Sequence, residues 1–260
     1  MYKKEDLIEE IKMCGIKNDD VLMIHSSFSS IKNIEGGSKS VISAFKNVVN
    51  NGILLFPTHT WASIKNDGDI LDLKKPNSCV GYLTNEVILD SDFVRSKHPT
   101  HSVCAYGPKA LEYISDDVNS KTPVSPNGSF GKLKFGGKIL FIGCPLSKNT
   151  FVHSVEEEMN VPDRFTSHIY TFYTKYNDII NEFHMPRHYN ELCPHISDNY
   201  EKLLPIMLNL GIAKKVKILD SLSYLVDAYE CRELVIKILK SDIHAFDDLR
   251  DIKNIFNMKL

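Results

Sequence analysis

Several absences narrow what this 260-residue chain can be. No apolar run approaches the roughly 20 residues needed to cross a bilayer. The opening Met1-Tyr2-Lys3-Lys4-Glu5-Asp6-Leu7 is a charged helix start without the apolar core of a secretion signal. A cytoplasmic protein with no membrane partner is therefore expected. Neither sign of charge dominates, since 31 Lys and Arg stand against 33 Asp and Glu, and no nucleic-acid partner is expected from so even a balance. The cysteines, Cys14, Cys79, Cys104, Cys144, Cys193 and Cys231, never come in close pairs. That spacing argues against a disulfide framework and a zinc knuckle and predicts reduced, mostly buried thiols. Also missing are a Gly-x-Ser-x-Gly elbow, internal repeats and low-complexity tracts, and no pair among His25, His59, His98, His101 and His153 has helical metal-binding spacing with a carboxylate partner. A serine hydrolase is disfavoured and no metal is expected. With 43% hydrophobic residues the chain can bury one large core, so a single domain over 1–260 is expected, with residues 160–200 as a separate subregion.

What is present alternates strand, loop and helix. Residues 3–14 read as an amphipathic helix, 21–24 as a buried strand, 36–49 as a helix and 53–57 as a second strand. A long polar loop over 63–78, a helix over 80–89, a basic hydroxyl-rich loop over 93–102 and a short strand over 103–107 follow. A helix over 109–115 and an irregular stretch over 122–131 precede an apolar strand over 138–143. Residues 168–185 alternate as a β-hairpin about Asn177-Asp178, and 200–210 and 221–240 read as helices, the last capped by Ser221 and Ser223.

The stretch 138–158 is the most informative. Its strand breaks at Gly143 into Cys144-Pro145-Leu146-Ser147-Lys148-Asn149-Thr150, and a helix capped by Asn149 or Thr150 opens before His153. Glu156 lies three residues on, on the same helix face, so the pair can form a His–Glu dyad. The helix amino terminus disfavours an imidazolium and the carboxylate favours one, and a base so balanced can take a proton at physiological pH. The competing reading, a packed or capping histidine in an ordinary acidic first turn, fits this segment taken alone better. Cys144 sits at the same bend, but the Pro after it and the lack of a glycine-flanked elbow disfavour a nucleophile.

The first two strands also end in polar residues, His25-Ser26-Ser27-Phe28-Ser29-Ser30 and Thr58-His59-Thr60-Trp61. If all three strands lie parallel, one sheet edge gathers His25, His59, His153 and several hydroxyls. The serine loop, the Gly36-Gly37 helix start and the charges of Arg95 and Lys97 suit an anion. Convergence of His25, His59, His98, His101 and His153 on zinc remains open, at lower weight.

Six motifs in order carry a resemblance: His25-Ser26-Ser27-Phe28-Ser29-Ser30-Ile31, Gly36-Gly37, Gly52-x-Leu54-x-x-Pro57-Thr58, Arg95-Ser96-x-His98-Pro99-x-x-Ser102, Ser129-Phe130-Gly131-Lys132-Leu133, and Gly143 through Asn149-Thr150-x-x-His153-x-x-Glu156. Together they resemble the aminoglycoside 3-N-acetyltransferase family, which includes sugar N-acyltransferase relatives, over residues 1–160 and more loosely to 240. The resemblance implies an α/β fold, a three-layer α/β/α sandwich with a largely parallel or mixed central sheet, to which the hairpin would be an embellishment. It implies transfer from acetyl-CoA or another short acyl-CoA to an amine, with His153 and Glu156 as the base. Asn149 and Thr150 would steady the oxyanion. His25, Ser26, Ser27, Ser29, Ser30, Thr58, Arg95, Ser96, His98, Ser102 and Phe130 would hold the coenzyme, and His59, Trp61, Tyr170 and Arg187 the acceptor.

The loop after His59 is shorter than in the resistance enzymes, Gly128-Ser129 replaces an expected Ser-Pro, and 160–200 differs throughout. Lys65, His188 and Tyr189 join the acceptor-side candidates, which are basic and aromatic. The expected acceptor is therefore an amino sugar, nucleotide-linked compounds included, with an aminoglycoside as the alternative. A thioester hydrolase and a non-catalytic CoA-binding protein are the rivals, and a homodimer is compatible with all of these readings.

Overall fold

The computed structural model describes residues 1–189, 191 and 194–252. Its centre is a seven-stranded mixed sheet. β1 (Val21–Ser26), β2 (Ile53–Pro57) and β6 (Lys138–Ile142) run parallel, with β1 in the middle. Outside β2 lie β5 (Val103–Tyr106) and then β4 (Val94–Arg95), each antiparallel to its neighbour. Outside β6 lie β10 (Ser221–Asp227) and then β9 (Ala213–Ile218), again antiparallel.

The strands are buried on both faces because their residues alternate between two apolar layers. Leu22, Ile24, Leu54, Phe56, Leu140 and Ile142 pack on one side against α1 (Lys4–Met13), α2 (Gly37–Val48) and α3 (Tyr82–Leu89). Met23, Leu55, Ile139 and Phe141 pack on the other side against α4 (Ala110–Ile114), α5 (Thr150–Glu158), α6 (Leu203–Asn209) and α7 (Ala228–Ser241). This is the expected three-layer α/β/α sandwich.

A second, three-stranded sheet forms a smaller core of Ile64, Leu71, Leu73, Phe172, Phe183 and Met185. The hairpin is β7 (Tyr170–Tyr176) and β8 (Ile179–Met185), turning at Asn177, whose φ is 54°. The expected loop over 63–78 is only partly a loop, since β3 (Ile70–Asp72) joins the hairpin as a parallel partner of β7.

The carboxyl-terminal third corrects the sequence reading. Residues 221–240 do not form one helix: Ser221 and Ser223 are buried strand residues of β10, and Asp227 caps α7 by accepting from the Glu230 amide. The predicted helix over 200–210 opens as a tight 3-10 segment, Ile196–Lys202, before α6 begins. β9, unassigned from sequence, pairs with β10 across a turn at Leu219, whose φ is 53°. Its Ala213-Lys214-Lys215-Val216-Lys217-Ile218 is the charged strand expected at a sheet edge, where lysines discourage pairing with other chains. The apolar content of 221–227 fits either state locally, and register with β6 decides it.

Candidate active site

The parallel strands β2, β1 and β6 bring their polar termini to one edge, as open α/β sheets do. Gly143 turns the chain out of β6 with φ 58°, where any side chain would collide with Ser30 Oγ and Ser221 Oγ. The serine loop and the loop leading to α5 therefore lie against each other at that point.

Asn149 is the N-cap of α5 but its side chain caps nothing. The Asn149 Oδ1 is buried without a partner, and Thr150 Oγ1 meets His59 Nε2 at 3.1 Å. One turn on, His153 Nδ1 lies 3.3 Å from Glu156 Oε2, with Glu156 fully buried and the His153 side chain 13% exposed. The expected dyad is thus assembled, but it has further members. Tyr200, from the 3-10 segment Ile196–Lys202, puts its hydroxyl 2.6 Å from His153 Nδ1 and donates to Glu156 Oε2. Arg164, buried, donates from Nε to Glu156 Oε1 at 2.9 Å and from Nη2 to Asp247 at 2.7 Å. Burial works against the Arg164 charge, and Glu156 and Asp247 outweigh it. His188 packs its ring 3.9 Å from that of His153, and its Nε2 is buried and unpartnered.

His153, Glu156 and His188 bring possible ligand atoms within 4.8 Å of one another. Both Glu156 oxygens are already committed, one to a guanidinium and one to a phenol, so a divalent cation would face Arg164 and have to displace Tyr200.

The other predicted site residues divide by what they touch. His25 stacks on Phe141 with rings 5.0 Å apart, and its Nε2 is unpartnered; burial pushes it down to about 3. His59 stacks on Phe130 at 5.3 Å, leaves Nδ1 unpartnered and is lowered well below the usual histidine range by burial. Ser26 ends β1 beside Ile142, while Ser27 Oγ and Ser29 Oγ bond each other at 3.0 Å and Ser30 Oγ donates to the Ser27 carbonyl. Thr58 and Ser102 share a 2.9 Å hydrogen bond.

Arg95 spends its guanidinium on protein oxygens. It donates to Ser102 Oγ, Asn77 Oδ1 and the carbonyls of Thr58 and Lys75, pinning the 73–77 loop to the sheet. Burial lowers it to about 10. Ser96 Oγ accepts from the Val103 amide, and His98 accepts from the amides of Thr100 and His101, so both are buried struts of the same loop. Cys144 is a poor nucleophile, because burial raises its thiol to about 12. Cys14, Cys79, Cys104, Cys144 and Cys231 are free thiols, and Cys193 lies outside the described residues.

A cavity of about 500 Å³ is lined by Asp163, Phe165, Thr166, Ser167, His168, Tyr170, Tyr189 and Glu191, and its Phe165 packs edge-on to His188 at 5.9 Å. Arg187 lies over the Tyr170 ring at 5.9 Å, and Trp61 is exposed at the surface. Sequence reasoning missed Tyr200, Arg164 and Asp247. Only a charged residue soon after α5 hinted at Arg164, and nothing marked the other two.

A family model described as aminoglycoside 3-N-acetyltransferase matches residues 23–240. The chain belongs to that family. Aminoglycoside N(3)-acetyltransferase III from Salmonella sp is 27% identical over 183 residues, covering 63% of each chain. Aminoglycoside N(3)-acetyltransferase VIII from Streptomyces fradiae is 25% identical over 181 residues, covering 61% of this chain and 62% of the relative. The match to these curated relatives thus spans under two thirds of their length. Among solved structures, the apoenzyme of aminoglycoside acetyltransferase AAC(3)-IVa shares the fold with TM-score 0.76 at 20% identity, over 94% of this chain and 91% of that one. AAC-IIIb in a binary complex with CoASH does so with TM-score 0.79 at 19% identity, over 92% and 96%. Among the described residues no helix is long and apolar enough to cross a membrane.

Proposed function

We propose that this family member is an acyl-CoA-dependent N-acyltransferase that moves an acetyl or short acyl group onto the amino group of an amino sugar. One observation carries the reading. The Nδ1 of His153 is held inward by Tyr200 and Glu156, so Nε2 is the ring nitrogen left for a substrate at the sheet edge. An amine is protonated in water at neutral pH, and attack on a thioester requires that a base free its lone pair.

Three of the buried atoms without partners, His25 Nε2 near the end of β1 and His59 Nδ1 and Asn149 Oδ1 on the loops at that edge, suit the amides of a pantetheine arm. His25, Ser26, Ser27, Ser29, Ser30, Thr58 and Phe130 would line the arm, while Arg95, Ser96, His98 and Ser102 hold the loop that frames it. Acyl-CoA supplies the activated carbonyl as a thioester. His153 Nε2 takes the ammonium proton that masks the lone pair and passes it to solvent; it then takes a second proton from the nitrogen as the N–C bond forms and returns that one to the sulfur as the C–S bond breaks. Thr150 and backbone N–H groups at the amino terminus of α5 stabilise the oxyanion, aided by the helix dipole. Glu156 stabilises the transient imidazolium, and Arg164 keeps Glu156 in place.

The named relatives are aminoglycoside acetyltransferases, and one solved complex holds a variant of AAC(3)-IVa with a gentamicin. The cavity beside His188 supports the same acceptor class. Asp163 and Glu191 offer carboxylates and Tyr170 and Tyr189 offer aromatic faces to a polycationic sugar. A nucleotide-linked sugar would set its diphosphate against those carboxylates, with Arg187 beside Tyr170 as the countercharge. Aminoglycosides are therefore the favoured acceptor and nucleotide-linked amino sugars the second reading.

The test is thiol release from acetyl-CoA against panels of both acceptor types, with His153→Ala as control. Amine-dependent release that falls about 100-fold or more in the variant is expected. Release without any amine would make the protein a hydrolase, and undiminished turnover in His153→Ala would remove the base from the mechanism.

A further inference from the structure

We propose that Tyr200 is a positioning residue for the base, the middle member of a relay running His153 Nδ1–H to Tyr200 Oη and Tyr200 O–H to Glu156 Oε2. The claim rests on the acyltransferase reading for its kinetic consequence but not for its geometry. The direct contact from His153 Nδ1 to Glu156 Oε2 is 3.3 Å, long for a charge-assisted N–H to carboxylate bond, whose usual range is about 2.7–2.9 Å. The path through Tyr200 is shorter at the histidine, with Oη 2.6 Å from Nδ1, and the same hydroxyl donates to Glu156 Oε2.

A phenol has one proton. Glu156 is salt-bridged to Arg164 and acts only as an acceptor, so that proton goes to the carboxylate. The Tyr200 oxygen is then an acceptor toward the imidazole, and Nδ1 must carry the hydrogen. This sets the tautomer with Nε2 deprotonated, the form that a general base needs. When Nε2 takes the amine proton, the charge on the ring is met by the phenol oxygen and, beyond it, by a carboxylate. No covalent bond changes and no proton leaves the relay.

The Tyr200 ring is held to this task. It is fully buried, edge-on to His153 with centroids 5.0 Å apart and edge-on to Phe246 at 5.5 Å. Phe246 is fastened in turn, because its carbonyl accepts from Asn199 Nδ2 at 2.8 Å. The carboxyl-terminal segment thus fixes a group at the dyad that lies 47 residues from His153.

Two measurements test the relay. Nitrogen-15 NMR of the wild-type imidazoles reads the His153 tautomer without any turnover, and the expected result is a protonated Nδ1 with a pyridine-like Nε2. Tyr200→Phe keeps both ring contacts and removes only the hydroxyl. It should mix the two tautomers, lower kcat for amine-dependent thiol release about 10- to 100-fold, shift the pH–kcat profile, and leave KM for acetyl-CoA within about twofold. A wild-type tautomer protonated at Nε2 would overturn the proposal, as would a Tyr200→Phe enzyme with unchanged tautomer and kcat. Should the variant fold poorly by circular dichroism, a wild-type tautomer protonated at Nε2 still overturns the relay. Absence of any transferase activity with the expected tautomer present would count against the acyltransferase reading and leave the relay standing.

Discussion

Acidification from pH 7 to pH 5 should destabilise the protein through histidines that fold neutral. His25, 6% exposed, is pushed by burial to about 3, whereas an unfolded histidine titrates near 6.5. Between those values the unfolded chain binds a proton that the native state refuses, so stability falls with pH. Over the interval from 7 to 5 this one ring accounts for about 2 kcal/mol. Glu157 acts in the opposite sense. Burial raises it to about 7, against hydrogen bonds from Thr122 and the Val124 amide. Its native form holds a proton that the unfolded chain has released, so it contributes stability at low pH that is lost as pH rises through 7, at most about 2 kcal/mol over the same interval.

These two groups nearly offset each other, and His59 decides the sign. It is 4% exposed and lowered well below its usual range, and His98, His101 and His188 are lowered in the same direction. The net result is a loss on acidification. Urea unfolding followed by circular dichroism checks it: with a slope of about 3 kcal/mol per M, each 2 kcal/mol moves the midpoint by about 0.7 M. His25→Asn should flatten the difference between pH 7 and pH 5 by about that amount, and Glu157→Gln should steepen it. A wild-type midpoint higher at pH 5 than at pH 7, or a His25→Asn variant with unaltered pH dependence, would refute the reasoning.

Two substitutions probe the scaffold of the site. Arg164→Met leaves the fully buried Glu156 without its guanidinium and should cost about 3–5 kcal/mol in urea unfolding; a loss below about 1 kcal/mol would mean that Arg164 is not what holds the carboxylate. Gly143→Ala forces a side chain into a positive-φ turn against Ser30 and Ser221 and should cost about 1–3 kcal/mol. Because that turn joins the serine loop to the approach to α5, it should also raise KM for acetyl-CoA, and an unchanged KM would separate the serine loop from the coenzyme.

The parts of the site that were legible in sequence are those fixed by short-range geometry. His153 and Glu156 are three apart on one helix, so helical rise and twist alone put them on one face. The polar ends of β1, β2 and β6 converge once the strands are parallel, and continuous apolar runs separated by helices are what a buried parallel sheet requires. Illegible were groups whose meeting depends on how distant segments dock. Arg95 and Lys97 both look like anion ligands in a basic loop, yet in the fold Arg95 is turned onto backbone carbonyls. Residues 221–227 carry enough apolar content for helix or strand, and the open edge of β6 selected strand.

By itself, then, the chain determined the helix and strand alternation around β1, β2 and β6, the polar edge where those strands end and the histidine–carboxylate pair, because periodicity and i to i+3 spacing are local properties. Only the tertiary structure decided how that pair is finished. It brought Tyr200 from a 3-10 segment, Arg164 from beyond α5 and Asp247 from past α7 around Glu156. A buried carboxylate must find its partners wherever packing delivers them, and no spacing in the sequence encodes that delivery.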